Sequence, residues 1–139
     1  MRVRLAAGAG SRSLAAIQLQ DASLGDAGVT ALSVALTAAE DRNGSPFALT
    51  EIGLEGNDIG PTGSQELARH LLGAGTRAAA LATLNLRNNR LGDEGVAWIA
   101  RALHDSAGEH VNRSLVSLDV GGNRIRGRVM SRGSGVSAV

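Results

Sequence analysis

Three histidines, His70, His104 and His110, are the side chains of this sequence best suited to acid–base chemistry near neutral pH. A zinc site needs further ligands at short, defined spacing, and neither a Cys nor an Asp stands at such a spacing from them. His70 and His104 instead fall at the ends of two predicted helices, where a solvated imidazole fits well. The sequence therefore predicts no metal site.

Other catalytic chemistries are excluded by residue types that the chain lacks. It contains no Cys, and all fourteen of its basic residues are Arg. This composition excludes a Schiff-base lysine, a P-loop lysine, a thiolate nucleophile and a disulfide. No G-x-S-x-G or G-x-G-x-x-G motif occurs in a strand–turn–helix context. We therefore predict that the protein is not an enzyme, with no catalytic residues and no cofactor.

The elements that position the remaining side chains come from an internal repeat. Four segments align without gaps on the pattern L-x-x-L-x-L-x-x-N-x-L, with Ile or Val in place of some leucines. They are LAAIQLQDASLG from Leu14, LTEIGLEGNDIG from Leu49, LATLNLRNNRLG from Leu81 and LVSLDVGGNRIR from Leu115. Parallel strands are predicted near residues 16–19, 51–54, 83–86 and 117–120.

Helical spacing of apolar residues follows the first three segments and predicts helices near 26–38, 61–72 and 93–105. Each predicted helix begins after a glycine and has Asp26, Pro61 or Asp93 in its first turn. Proline suits this position because its missing N–H would be unpaired there. Aspartate suits it because a carboxylate faces the positive end of its own helix dipole.

This pattern resembles the ribonuclease-inhibitor-like class of leucine-rich repeats, which also occurs in NOD-like receptors and in the Ran GTPase-activating protein. The resemblance implies an α/β solenoid of about four repeats, with a parallel sheet on the concave face and helices on the convex face. It implies one domain over 1–139, with repeats over 14–126 that start at 14, 49, 81 and 115. Residues 1–13 look like the end of a preceding repeat, and 127–139 form an irregular tail.

Stacked repeats bury a continuous apolar layer that one unit cannot bury alone. Within that layer, Asn57, Asn89 and Asn123 are expected to form a ladder whose amides bond to buried backbone groups of the turns. The first repeat has Ala22 at this place, which predicts a looser turn.

Two surfaces are candidates for binding another protein. Alternate strand residues face outward on the concave side. Those singled out are Gln18, Gln20, Glu51, Glu55, Thr83, Asn85, Arg87 and Asp119. This surface is small and polar, and it fits a hydrogen-bonded partner and a merely solvated face equally well. On the convex side, Trp98 lies beside the buried stripe of its helix, either half-covering a gap between helices or anchoring a partner.

A non-catalytic protein–protein scaffold module is the leading functional hypothesis. The alternatives are a GTPase regulator, by analogy with the Ran GTPase-activating protein, and a structural subunit of a ciliary or mitochondrial ribosomal assembly. The arginine-rich end (Arg124, Arg126, Arg128 and Arg132) lacks interleaved aromatics, so nucleic acid is not favoured as a partner.

The ends and location of the chain are also matters of expectation. Apolar residues at the first and last strands predict end-to-end contact with neighbouring chains, or a fragment of a longer repeat protein. No apolar run approaches the roughly 20 residues of a membrane helix. We expect a cytoplasmic location, including cytoskeletal or ciliary sites. A mitochondrial location is the alternative, because the first 20 residues carry three arginines and no acid before Asp21.

Overall fold

The computed structural model describes residues 2–7, 14–38, 49–73, 81–104 and 112–127. Five strands are present among them: β1 (Arg2–Ala7), β2 (Leu14–Gln20), β3 (Glu51–Gly53), β4 (Thr83–Asn85) and β5 (Ser117–Asp119). The helices are α1 (Gly25–Ala38), α2 (Pro61–Leu67), which continues as a π-helical segment (Ala68–Leu72), and α3 (Gly92–Leu103). The stretches 39–48, 74–80 and 105–111, which join each helix to the next strand, lie outside the described residues, as do His110 and most of the 127–139 tail.

The five strands form one sheet in the order β1-β2-β3-β4-β5. Strands β2 to β5 are mutually parallel, so that Ile17, Ile52, Leu84 and Leu118 occupy one row across the sheet. The strand–turn–helix pattern of the sequence therefore forms an α/β fold with its strands where the spacing predicts them.

The edge of β2 differs from expectation. The sequence predicts an uncovered edge there, but β1 pairs antiparallel with β2 from Arg2 opposite Gln20 to Ala7 opposite Leu14. The backbone groups of β2 are therefore bonded on both sides, by β1 and by β3. End-to-end contact through β2 loses its structural basis, because pairing removes the free strand edge that invites another chain.

The core lies between the sheet and the helices and is built from aliphatic side chains. Ile52, Leu54, Ile59, Leu84 and Leu86 are each at most 1% exposed. Close helix packing requires a residue without a side chain, as at Gly63, where a Cβ would lie 2.7 Å from Val29 Cγ1 and 2.5 Å from Asp26 Oδ1. Burial of this layer is the main source of stability.

The second helix is less regular than its pattern predicts. Residues 61–72 are expected to form one α-helix, but α2 ends at Leu67 and the chain continues as the π-helical segment. The Gly73 N–H donates to the Ala68 carbonyl at 3.0 Å, five residues back. This wider turn keeps Leu67, Leu71 and Leu72 all buried.

The three asparagines of the repeat are buried, and each bonds to the unit before its own as well as to its own turn. The Asn89 Oδ1 accepts from the Asn57 and Ile59 N–H groups at 2.9 and 3.1 Å, and its Nδ2 donates to the Leu54 carbonyl at 2.9 Å. Asn57 makes the same three bonds to its preceding unit, and Asn123 accepts from the Leu91 N–H and donates to the Leu86 carbonyl. The ladder thus joins neighbouring turns as well as holding each turn closed.

The first unit has Ala22 in place of an asparagine, and the sequence predicts a looser turn there. Because each asparagine also bonds to the turn of the preceding unit, Asn57 can serve this first turn. The Asn57 Oδ1 accepts from the Ala22 N–H at 3.0 Å and from the Leu24 N–H at 3.4 Å. Among the residues that the structure describes, no earlier turn of this kind precedes position 22 for an asparagine there to bond. The amides of the first turn therefore keep their acceptor although the first unit lacks an asparagine.

Asp26 bonds to the unit after its own, whereas the asparagines bond to the unit before. The sequence predicts that its carboxylate serves the N-terminus of its own helix, α1. In the structure its Oδ1 accepts from the Gly60 and Gly63 N–H groups of the next helix, α2, at 2.7 and 3.0 Å. Gly60 has no side chain with which to cap α2, so Asp26 supplies the acceptor that a capping residue normally provides.

Candidate functional site

The sheet face turned away from the helices holds the polar residues that the sequence singles out for a partner. Pairing in register sets Ala16, Glu51, Thr83 and Ser117 in one row. A second row, formed in the same way, contains Gln18, Gly53, Asn85 and Asp119. A third set contains Gln20, the last residue of β2, and three residues just beyond the other strands, Glu55, Arg87 and Gly121. We call these three rows the open sheet face.

Hydrogen bonds between strands fix the acidic half of the open sheet face. Gln18 Nε2 donates to Glu51 Oε1, and the Gln18 amide lies over Gly53, where a Cβ would overlap it. Glu55 accepts from Gln20 Nε2 at 3.0 Å through one oxygen and from Asn88 Nδ2 at 3.2 Å through the other. Side chains of the preceding and the following unit thus hold both Glu55 oxygens in place.

The other half of the face carries the basic residues. Arg87 lies 3.7 Å from Asp119, and Arg90 lies 3.1 Å from Asp58, with all four side chains about half exposed or more. Such exposed pairs contribute little to stability, because water screens them. Asn85 and Asp119 each accept a backbone N–H two residues ahead, at 2.9 Å, which fixes their orientation.

Trp98 lies on the helix layer, beside the buried stripe of α3. Its side chain is half-buried, and the Arg101 guanidinium stands 5.2 Å from the ring centroid, within cation–π distance. The ring lines a groove of about 370 Å³ between α3 and the α2–π-helical segment, with Arg69 on the opposite wall. Sequence reasoning found Trp98 but missed both arginines, although they occupy equivalent positions in consecutive units.

The described histidines do not form a centre for chemistry. His70 Nε2 lies 3.5 Å from Glu66 Oε2 on the same helix, and His104 is exposed at the end of α3. Among the described residues, no three His, Asp or Glu side chains are grouped so that they could hold a metal ion. In the same part of the chain, no helix is both long and apolar enough to cross a membrane.

Comparison with known proteins agrees with this geometry. Residues 81–100 and 111–128 match the family model described as Leucine Rich repeat. These stretches cover β4, most of α3 and β5, with the Asn89 and Asn123 turns. No curated protein matches the chain. Leucine-rich repeats generally serve as modules that bind other proteins. The spaced leucines, the buried asparagines and the family match together identify the chain as a leucine-rich repeat protein.

Proposed function

We propose that the chain is a non-catalytic scaffold module that binds another protein through its open sheet face. The fixed Glu55 carboxylate carries this proposal, because both its oxygens are already held by Gln20 and Asn88. Side chains ordered before binding lose less conformational entropy when a partner arrives. A polar surface of this kind suits an interface made of direct and water-mediated hydrogen bonds.

The distribution of charge on the open sheet face indicates the orientation of the partner. Glu51 and Glu55 lie on and after β3, whereas Arg87 and Arg90 follow β4 and Arg124 follows β5. A partner with basic groups opposite β3 and acidic groups opposite the turns of β4 and β5 would be complementary. Such complementarity sets the docking direction and the association rate more than the affinity.

The proposed architecture is a curved solenoid of four units in the ribonuclease-inhibitor-like class. Helices packed side by side are 8–10 Å apart, whereas neighbouring strands are about 4.8 Å apart. A stack with α1, α2 and α3 on one side and β2 to β5 on the other must therefore bend toward its strands. The substantial helices, 14 residues in α1 and 12 in α3, support this class.

To test the sheet-face proposal, we replace Glu51 and Glu55 together by alanine in the immobilised chain. Retention of protein partners from a cell extract is then quantified by mass spectrometry. Loss of an interface hot spot costs about 2 kcal/mol or more, so retention of a true partner should fall by more than about tenfold. Glu94→Ala, an exposed acidic residue of α3, is the matched control and should retain the partner.

The proposal fails if every retained protein binds the double variant and the control equally. Circular dichroism melts of the three proteins show whether they are equally folded. All three positions are partly or fully exposed, so the free energy of unfolding should change little.

We further propose that another strand–turn–helix unit packs against β5, which would make the chain part of a larger assembly. Leu118 is 36% exposed, although Ile52 and Leu84 in the same row are fully buried. Val116, just before β5, is 86% exposed. The Asn57 and Ile59 N–H groups donate to the side chain of Asn89 in the following unit. The Asn123 and Ile125 N–H groups occupy the equivalent positions, and among the described residues no asparagine follows to accept them.

Replacing Val116 and Leu118 together by arginine should reduce self-association of the purified chain, because charge on an apolar sheet edge opposes strand pairing. Light scattering over a concentration series measures the effect. Val34→Arg introduces an arginine at an exposed position of α1, away from β5, and should leave association unchanged. A wild-type chain that remains monomeric throughout the series would exclude a second copy of the chain as the unit that covers β5.

A further inference from the structure

The groove beside Trp98 has the shape and lining of a small binding site. Its floor and walls are largely apolar, with Ala68 on one helix and Trp98 and Ala102 on the other. Its volume of about 370 Å³ is at the lower end for ligand sites, and it opens to solvent between the last turns of two helices. A groove of this size can hold one large apolar side chain of a ligand. The ligand residues on either side of that side chain would then lie at the rim of the groove.

The rim of the groove is basic. Arg69 and Arg101 occupy equivalent positions on consecutive helices, so stacking sets them on the same side, roughly one helix spacing of 8–10 Å apart. Both side chains are exposed, and neither forms an ion pair with a described residue. By contrast, Arg87 and Arg90 on the open sheet face each have an acidic partner.

The acidic groups of the described residues near the groove do not neutralise this rim. Glu66 is half-buried and already paired with His70 on its own helix. Asp93 and Glu94 lie in the first turn of α3, seven residues or more before Arg101, which is about 10 Å along a helix axis. The helix dipoles favour a basic residue at the end of each helix. They do not require an aromatic ring beside it, and that ring distinguishes this groove.

We infer that this groove binds an acidic peptide segment of a partner protein. One apolar side chain of the segment packs against Trp98 and Ala102, and flanking carboxylates pair with Arg69 and Arg101. Arginine suits this role because its planar guanidinium can bond a carboxylate with two parallel N–H groups. The apolar lining favours a peptide over a nucleic acid strand, whose phosphates carry no aliphatic group into the groove.

This second binding surface goes beyond the proposed sheet-face function, and either proposal can fail without the other. The sheet-face test replaces Glu51 and Glu55, whereas the groove involves neither residue. A protein with only one of the two surfaces would bind one class of partner, whereas a protein with both could join two partners.

Trp98 is the only tryptophan in the chain, so its fluorescence reports directly on the groove. The probe is the blocked peptide Glu-Asp-Leu-Asp-Glu, titrated into the full chain. We expect a saturable change in emission. Arg69→Gln and Arg101→Gln should each raise the Kd by about tenfold, the equivalent of 1.4 kcal/mol, since each removes one charged hydrogen-bond donor group.

Matched controls separate the groove from general electrostatics. Arg124→Gln removes an exposed arginine of the sheet side and should leave the Kd unchanged. The peptide Glu-Asp-Ser-Asp-Glu keeps the charge without the apolar side chain and should bind more weakly. Equal binding by Arg101→Gln, by the serine peptide or by a single-stranded oligonucleotide of the same charge would overturn the inference.

Discussion

Asn89→Ala is expected to lower the free energy of unfolding by roughly 2–6 kcal/mol, because it leaves two buried N–H groups unpaired at about 1–3 kcal/mol each. These are the Asn57 and Ile59 amides, which donate to the Asn89 Oδ1. Asn89 is 4% exposed, so bulk water does not reach these N–H groups to replace the lost acceptor. Urea denaturation followed by circular dichroism measures the change.

The neighbouring Asn88 provides a matched control for this experiment. It is exposed, makes one hydrogen bond to Glu55 and has a φ of 55°, which glycine adopts without strain. Gly56 and Gly122 occupy the same position in other turns with φ of 69° and 68°. Asn88→Gly should therefore stay within about 0.5 kcal/mol of the wild type. Equal denaturation midpoints for Asn89→Ala and Asn88→Gly would contradict the role given to the ladder.

Leu86→Ala is expected to destabilise the protein by roughly 2–5 kcal/mol, the cost of lost burial and of the cavity left behind. Leu86 is fully buried in the layer between the sheet and the helices. Arg87→Ala, one residue further along, should change the free energy of unfolding by no more than about 0.5 kcal/mol. The Arg87 side chain is 53% exposed, and its contact with Asp119 is 3.7 Å long. Similar thermal midpoints for the two variants would show that this part of the sheet faces the other way.

The leucine spacing predicts the parallel strands and the helices because the core positions of every unit fall at the same offsets. Ile52 and Leu84 occupy the same position of the leucine pattern, and both are fully buried. The strand β1 could not be predicted in the same way, because its pairing with β2 is not part of the repeat. A six-residue segment outside the repeat has no equivalent in the other units from which its partner strand could be predicted.

Interactions between units were the hardest to predict from sequence. The pattern identifies Asn57 and Asp26 as structural residues but does not indicate which unit each one bonds. Asn57 bonds the turn before it, and Asp26 bonds the helix after it. The groove depends in the same way on Arg69 and Trp98, which are on different helices. Repeat alignment shows equivalence between units, whereas contact between them depends on how closely they stack.

Asp26 and the asparagines have a consequence for recombining the units, whether by gene rearrangement or by engineering. A transplanted second, third or fourth unit would bring an asparagine that bonds to the unit before it. A transplanted first or third unit would bring an aspartate that bonds to the backbone of the unit after it. Gly60 can lack a capping side chain because Asp26 precedes it by one unit. Placed behind a unit without that aspartate, α2 would begin with uncapped amides. The part that can be exchanged intact is therefore the contact between two units, made of the end of one unit and the start of the next. Functional chimaeras should have their crossovers inside units, where these contacts are kept, and not between units.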